Sequence, residues 1–283
     1  MFVKAQYCRN AGLGNKLFPW ARAIVISGIY NYDFLDPVWF SPRGASIIRG
    51  GIDYKKALNK IWLFNNFINR EHDISFLRSL MISSTQFQLF DRLEEPVFNI
   101  ASKNKINICF RWNACHEFSD LMEFRGLILD NLKKITRKKS ISFYERYEGK
   151  KFIGLNIRTG KDFVRLNSSK QGYFLTEIDW FVRALKIIRN MEGNLPAIIV
   201  SDGGEKELRA ILTEPDTFLL NSSNAIEDLL VLAESKILLG SGNSTFSAWA
   251  SFLGGMDTYS SGETQFSHFN ISDTRSTQII GIL

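Results

Sequence analysis

The tightest constraint on the fold lies between Lys151 and Tyr259, where short apolar runs alternate with amphipathic segments. Residues 152–157, 197–200, 217–220, 236–239 and 256–259 read as strands. Residues 179–191, 205–212, 225–234 and 244–253 read as helices, with Phe181, Val182, Leu185 and Ile188 on one side of the first. Strands alternating with helices at this spacing predict parallel βαβ units. Right-handed crossovers then put every strand's carboxyl end on one edge of the sheet. The loops at 158–163, 201–204, 221–224 and 240–245 share that edge. They carry Arg158, Asp202, Ser222, Asn224, Ser241, Asn243, Ser244 and Thr245.

Arg158 follows the first strand of this series directly. Open α/β sheets bind ligands outside the carboxyl ends of their strands, and the planar guanidinium fork suits a phosphate. The edge as a whole is equipped for a nucleotide: aspartate and amides for base and ribose, arginine, hydroxyls and N–H groups for phosphates. A strand followed by a loop with a salt-bridging arginine fits the segment alone equally well. Ser244 and Thr245 also suit a helix N-cap, and a capped helix start still offers N–H groups to an anion.

The first half is less regular. Residues 2–8 read as a strand, 9–15 as a glycine loop, and Leu17, Trp20, Ala21, Ile24 and Val25 recur at helical spacing, with Pro19 expected in the first turn. In this strand, loop and helix, Gly14 and Asn15 face a bound group, or the loop is a plain tight turn with Asn15 as N-cap. Residues 33–40 suggest a short strand, 43–51 a loop, 54–67 and 74–82 helices, 106–112 a strand and 121–135 a helix. The basic run from Lys133 to Lys139 reads as a solvated helix end or as a contact with an anionic membrane surface.

The 283 residues suffice for two domains, expected at 1–148 and 149–283. A formal charge of +6 suits an anionic ligand or membrane surface but is too mild to imply nucleic acid. Cys8, Cys109 and Cys115 are odd in number and form no CxxC pair, which predicts a reducing, cytoplasmic setting. Residues 1–14 lack a signal-peptide core, and no apolar run reaches membrane-helix length. His72, His116 and His268 are scattered without metal-ligand spacing, so no metal is expected. Trp249 continues the helical spacing of Phe246 and reads as core.

Four blocks now stand in order. They are Gly12-Leu13-Gly14-Asn15-Lys16-Leu17-Phe18, Asn156-Ile157-Arg158-Thr159-Gly160, Ile198-Ile199-Val200-Ser201-Asp202, and Ile226-Glu227-Asp228-Leu229 through Gly242-Asn243-Ser244-Thr245-Phe246-Ser247-Ala248-Trp249-Ala250. Their order and spacing resemble the α-1,2-fucosyltransferases of glycosyltransferase family eleven and, more distantly, the α-1,6- and protein-O-fucosyltransferases. The chain departs from that pattern at Asn156, where the family has histidine, at Lys16 and Gly203, and at Lys161, inserted before Asp162.

The resemblance implies an α/β fold of GT-B type, two Rossmann-like domains facing across a cleft. It implies a GDP-fucose donor held by the C-terminal domain and an oligosaccharide acceptor, lipid-linked in surface polysaccharide synthesis, on the N-terminal side. Transfer would be inverting and metal-independent, in the cytoplasm or on the inner face of the membrane. By the same resemblance Gly14, Asn156, Arg158, Gly160, Ser201, Asp202, Asp228, Asn243, Ser244 and Thr245 meet the donor. Arg158, Asp162 and Asn15 take part in catalysis, Asp162 as base or as orienter of Arg158. A related GDP-deoxyhexose or GDP-mannose donor, and a non-catalytic nucleotide-sugar-binding protein, are the competing readings. An NAD-dependent oxidoreductase fits less well, because Gly12 and Gly14 are not followed by the third fingerprint glycine.

Overall fold

The computed structural model describes residues 1–6, 12–35, 86–103, 106–111, 118–136, 138–159, 176–222, 224–242 and 244–261. The helices expected at 54–67 and 74–82, the loop at 43–51, and Gly160, Asp162 and Asn243 lie outside them. The chain divides into two units, Met1–Lys139 and Ser140–Leu283.

In the first unit, β1 (Phe2–Gln6), β2 (Asp33–Leu35), β3 (Phe87–Phe90) and β4 (Asn107–Arg111) form a sheet in the order β2-β1-β4-β3. Every pair in it is parallel. Among the described residues the helices include α1 (Leu13–Tyr30), α2 (Glu95–Ser102) and α3 (Arg125–Ile135). α1 starts after Gly12, whose extended backbone forms the N-cap, and it is buried without a break from Lys16 through Ile26. Pro19 therefore lies inside the helix, not in its first turn. The proline removes the N–H that would bond the Asn15 carbonyl, and dense burial on all sides holds the helix together across that gap. Arg22, fully buried, is met by Asp120, whose Oδ2 lies 2.7 Å from Nε and whose Oδ1 accepts from Nη2 at 3.1 Å.

In the second unit, α4 (Lys138–Tyr144) leads to β5 (Ile153–Ile157), α5 (Ile178–Glu192), β6 (Ala197–Ser201), α6 (Arg209–Leu212) and β7 (Thr217–Leu219). Then follow α7 (Ala225–Ala233), β8 (Ile237–Gly240), α8 (Thr245–Gly254) and β9 (Asp257–Tyr259). The strand order is β7-β6-β5-β8-β9, all parallel, with Leu155 facing Ile199 on one side and Leu239 on the other. This is the doubly wound order, and its switch point falls between β5 and β8. β5 is buried at every residue. On one face Ile153, Leu155 and Ile157 pack with Phe181, Leu185 and Ile188 of α5, as the helical spacing predicts. Trp249 is wholly buried, as expected of a core residue.

The structural division falls in the first turn of α4, ahead of the 148/149 boundary expected from the sequence. From Ser140 onward α4 is bonded into the second unit: Asn224 Nδ2 donates to Ser140 Oγ at 2.9 Å, Ser140 Oγ donates to Glu227 Oε1 at 2.7 Å, and Tyr144 OH donates to Glu234. The basic run from Lys133 to Lys139 thus straddles the end of α3 and the start of α4 instead of trailing from one helix. Among the described residues no helix is long and apolar enough to cross a membrane.

A Cβ at Gly154 would stand 2.8 Å from Ser235 Oγ and 3.1 Å from Leu232 Cδ2, so Gly154→Ala should lower unfolding stability in urea by about 1–3 kcal/mol. Burial and the neighbouring Glu234 carboxylate push the Tyr144 phenol above its ordinary value of 10.0. Its folded pKa is raised, so its contribution is complete below pH 10.0 and drains as pH rises beyond it, because the unfolded chain loses the proton first. Urea titrations across that range should show a steeper loss of stability for the wild-type chain than for Tyr144→Phe.

Candidate functional site

The switch point gathers most of the residues singled out at the sheet edge. At the end of β5 the Asn156 carbonyl accepts from Ser241 N at 2.9 Å, tying β5 to the loop after β8. The Asn156 side chain, 2% exposed, donates from Nδ2 to Ser247 Oγ at 2.6 Å and to Ser244 Oγ at 3.4 Å. Ser244 is the N-cap of α8, and its Oγ also accepts from Ser247 N at 3.3 Å. The sequence reading of Ser244 as a cap therefore holds, with Thr245 as the first helical residue. Ser241, fully buried, accepts from Arg158 N at 2.9 Å through its Oγ. A helix start, a buried amide and three serine hydroxyls thus converge beside Arg158.

On the other flank stands the turn after β6. Arg158 Nε lies 3.1 Å from Asp202 Oδ2, an ion pair by distance whose N–H is not aimed at the oxygen. Asp202 Oδ1 accepts from Thr159 N at 2.8 Å. Ser201 Oγ donates to the Ile157 carbonyl at 2.7 Å and accepts from Gly203 N at 3.0 Å. A Cβ at Gly203 would come within 2.3 Å of Thr159 Oγ1, so a side chain there would force Thr159 to shift.

Asn156, Arg158, Ser201, Asp202, Ser244 and Thr245 are therefore neighbours on one edge. Asp228, in the first turn of α7, accepts a hydrogen bond from Ser222. Gly14 and Asn15 belong to the first unit, as the second and third residues of α1. The alternative reading of Asn15 as N-cap is corrected, because the helix begins at Leu13 and Gly12 takes the cap position. Asn15 Oδ1 is buried without a hydrogen-bond partner among the described residues. Thr159 and Ser247 were not among the expected site residues. Ser247, three residues past the cap, carried the one usable signal, since its position places it beside Ser244 on the helix start. Among the described residues, no three His, Cys, Asp or Glu side chains cluster.

A match to the family model for glycosyl transferase family 11 covers residues 72–275. The chain belongs to that family. No curated protein matches it. Among solved structures, the fucosyltransferase NodZ from Bradyrhizobium is similar at 14% identity, over 88% of this chain and 92% of that one, with a TM-score of 0.52. NodZ α-1,6-fucosyltransferase soaked with GDP-fucose is similar at 15% identity, over 89% and 92%, with a TM-score of 0.51. POFUT1 in complex with GDP-fucose is similar at 11% identity, over 90% and 95%, with a TM-score of 0.49. The fold class expected from the resemblance, α/β of GT-B type, is the one shared with NodZ.

Gly203→Ala should lower stability by about 1 kcal/mol through its collision with Thr159. Thr159→Ala in that background removes the two nearest atoms and should recover part of the loss, as read from paired thermal unfolding curves.

Proposed function

We propose that the chain transfers L-fucose from GDP-fucose to a hydroxyl of a glycan acceptor, with inversion and without a metal ion. The observation that carries this reading is the cluster at the β5/β8 switch point, in a member of glycosyl transferase family 11: Arg158 flanked by buried hydroxyls and a capped helix start. Such a set suits a diphosphate, since each group is a hydrogen-bond donor or can present one.

In the step, the bond from fucose C1 to the β-phosphate oxygen breaks as the acceptor oxygen bonds C1 from the opposite face. The acceptor proton passes to a base, and Asp162 is our assignment for it. The sugar passes through an oxocarbenium-like state. Charge grows on the leaving diphosphate, and Arg158, Gly160 N–H and the start of α8 offset it. Asn156, Ser201, Asn243 and Thr245 complete the donor side, with Asp228 further along the same edge. Of the residues at the start of α1, Gly14 is assigned to the donor and Asn15 to catalysis, where its buried Oδ1 can accept from a hydroxyl.

The finer assignment is an α-1,2 linkage to galactose in a lipid-linked unit of surface polysaccharide, made in the cytoplasm at the inner face of the membrane. Exposed Lys134, Lys138 and Lys139 supply charge for an anionic lipid surface. A second reading, another GDP-deoxyhexose or GDP-mannose, draws on Asn156 and Gly203, where the chain leaves the family pattern.

Titration calorimetry with GDP, GDP-fucose, GDP-mannose and NAD tests the donor. GDP should bind with Kd on the order of micromolar, unchanged by chelator; tighter NAD binding or loss on chelation would refute the reading. Arg158→Ala should reduce transfer at least about a hundredfold, measured as fucose incorporated into acceptor, and near-normal transfer would remove Arg158 from the mechanism.

A further inference from the structure

Asp202 reads from the sequence as a ligand for the bound nucleotide, but its surroundings give it another task. Both carboxylate oxygens are turned toward residues 158 and 159. Oδ2 lies 3.1 Å from Arg158 Nε, and Oδ1 accepts from Thr159 N at 2.8 Å and from Thr159 Oγ1 at 3.4 Å. The turn that carries Asp202 is held in its own right. Ser201 Oγ donates to the Ile157 carbonyl at 2.7 Å and accepts from Gly203 N at 3.0 Å, so the end of β6 and its turn are tied to the end of β5 just before Arg158. On the opposite flank the Arg158 backbone N–H is fixed to Ser241 Oγ at 2.9 Å.

We propose that Asp202 is a positioning residue for Arg158 and not a ligand of base or ribose, an inference that rests on the function proposed above and deepens it. An arginine side chain sweeps a wide volume about its several torsions. The Asp202 carboxylate, 3.1 Å from Nε without accepting a hydrogen bond from it, holds the guanidinium by charge and so restricts the heading of the Nη edge. The Thr159 N–H holds that carboxylate in turn. Gly203 completes the device, because any side chain there would displace Thr159. Stability does not account for the pair. Arg158 is 29% exposed and Asp202 19%, so solvent screens their attraction and the fold gains little from it. Orientation is the effect this geometry delivers.

A double-mutant cycle of Arg158→Ala and Asp202→Asn tests the assignment. Asparagine keeps the shape and the acceptor for Thr159 N while giving up the charge facing Nε. Calorimetry uses GDP and inorganic pyrophosphate, transfer is read as kcat and KM, and the Arg158 Nε–H resonance is followed by NMR. We expect Asp202→Asn to lower kcat about ten- to a hundredfold with little change in KM. It should shift the Arg158 Nε–H signal and add less than about twofold on top of Arg158→Ala. Additive losses, a selective rise in KM, or an Nε–H signal that Asp202→Asn leaves in place would overturn the inference. Binding of pyrophosphate without binding of GDP would instead overturn the proposed donor and leave the cycle readable with pyrophosphate.

Discussion

A single asparagine joins the parts of the switch point. Asn156 sits on β5, the central strand of its sheet, and is almost wholly withdrawn from water. A buried amide must find partners, because leaving one unmet costs about 1–3 kcal/mol. Its partners here are Ser244 and Ser247 on α8, while its backbone carbonyl takes the N–H of Ser241. The need to satisfy one polar side chain thereby fixes the start of a helix, the loop after β8 and the point where the chain leaves β5. Arg158, two residues on, inherits its place from that arrangement.

The far end of α8 is fixed by a different kind of constraint. A Cβ on Gly254 would lie 2.1 Å from the Ala233 carbonyl, so the end of α8 approaches the end of α7 as closely as backbone allows. Gly254 must lack a side chain for steric reasons, and Gly255 beyond it takes the left-handed conformation at φ 64. α8 is thus held by hydrogen bonds at its start and by close contact at its finish. With both ends set, the direction of its N-terminal N–H groups is set as well.

How far the sequence reveals this depends on where the controlling information lies. β5, β6 and β8 were legible because they are buried on both faces and read as short, mainly apolar runs. α5 was legible because its apolar residues keep helical spacing. β3 was not, because Phe87–Phe90 is a four-residue edge strand with half-exposed side chains and no alternation to detect. α4 was hidden inside a charge run, and the start of α1 behind Gly12 and Gly14, which read as loop until tertiary burial made a helix of the residues from Leu13 on. At the site, the positions of Arg158 and Ser244 followed from topology, since each stands just past a strand. The roles of Thr159 and Gly203 did not, since each depends on what a residue distant in sequence places against it.

The composition of this edge bears on how it would treat an anion. Its donors are mostly neutral hydroxyls and N–H groups, and its arginine carries a carboxylate on the Nε edge. Such a site attracts a resting diphosphate less strongly than a cluster of unbalanced cations would. Donors fixed in place answer most to charge that appears after binding, because no reorganisation is needed when it does. Only interactions that strengthen between ground state and transition state raise turnover, and uniform attraction merely holds substrate and product alike. Under the proposed transfer, an arginine steadied by Asp202 and flanked by hydroxyls would favour the departing diphosphate as its charge grows, and the balanced charge around it would ease the later release of that product.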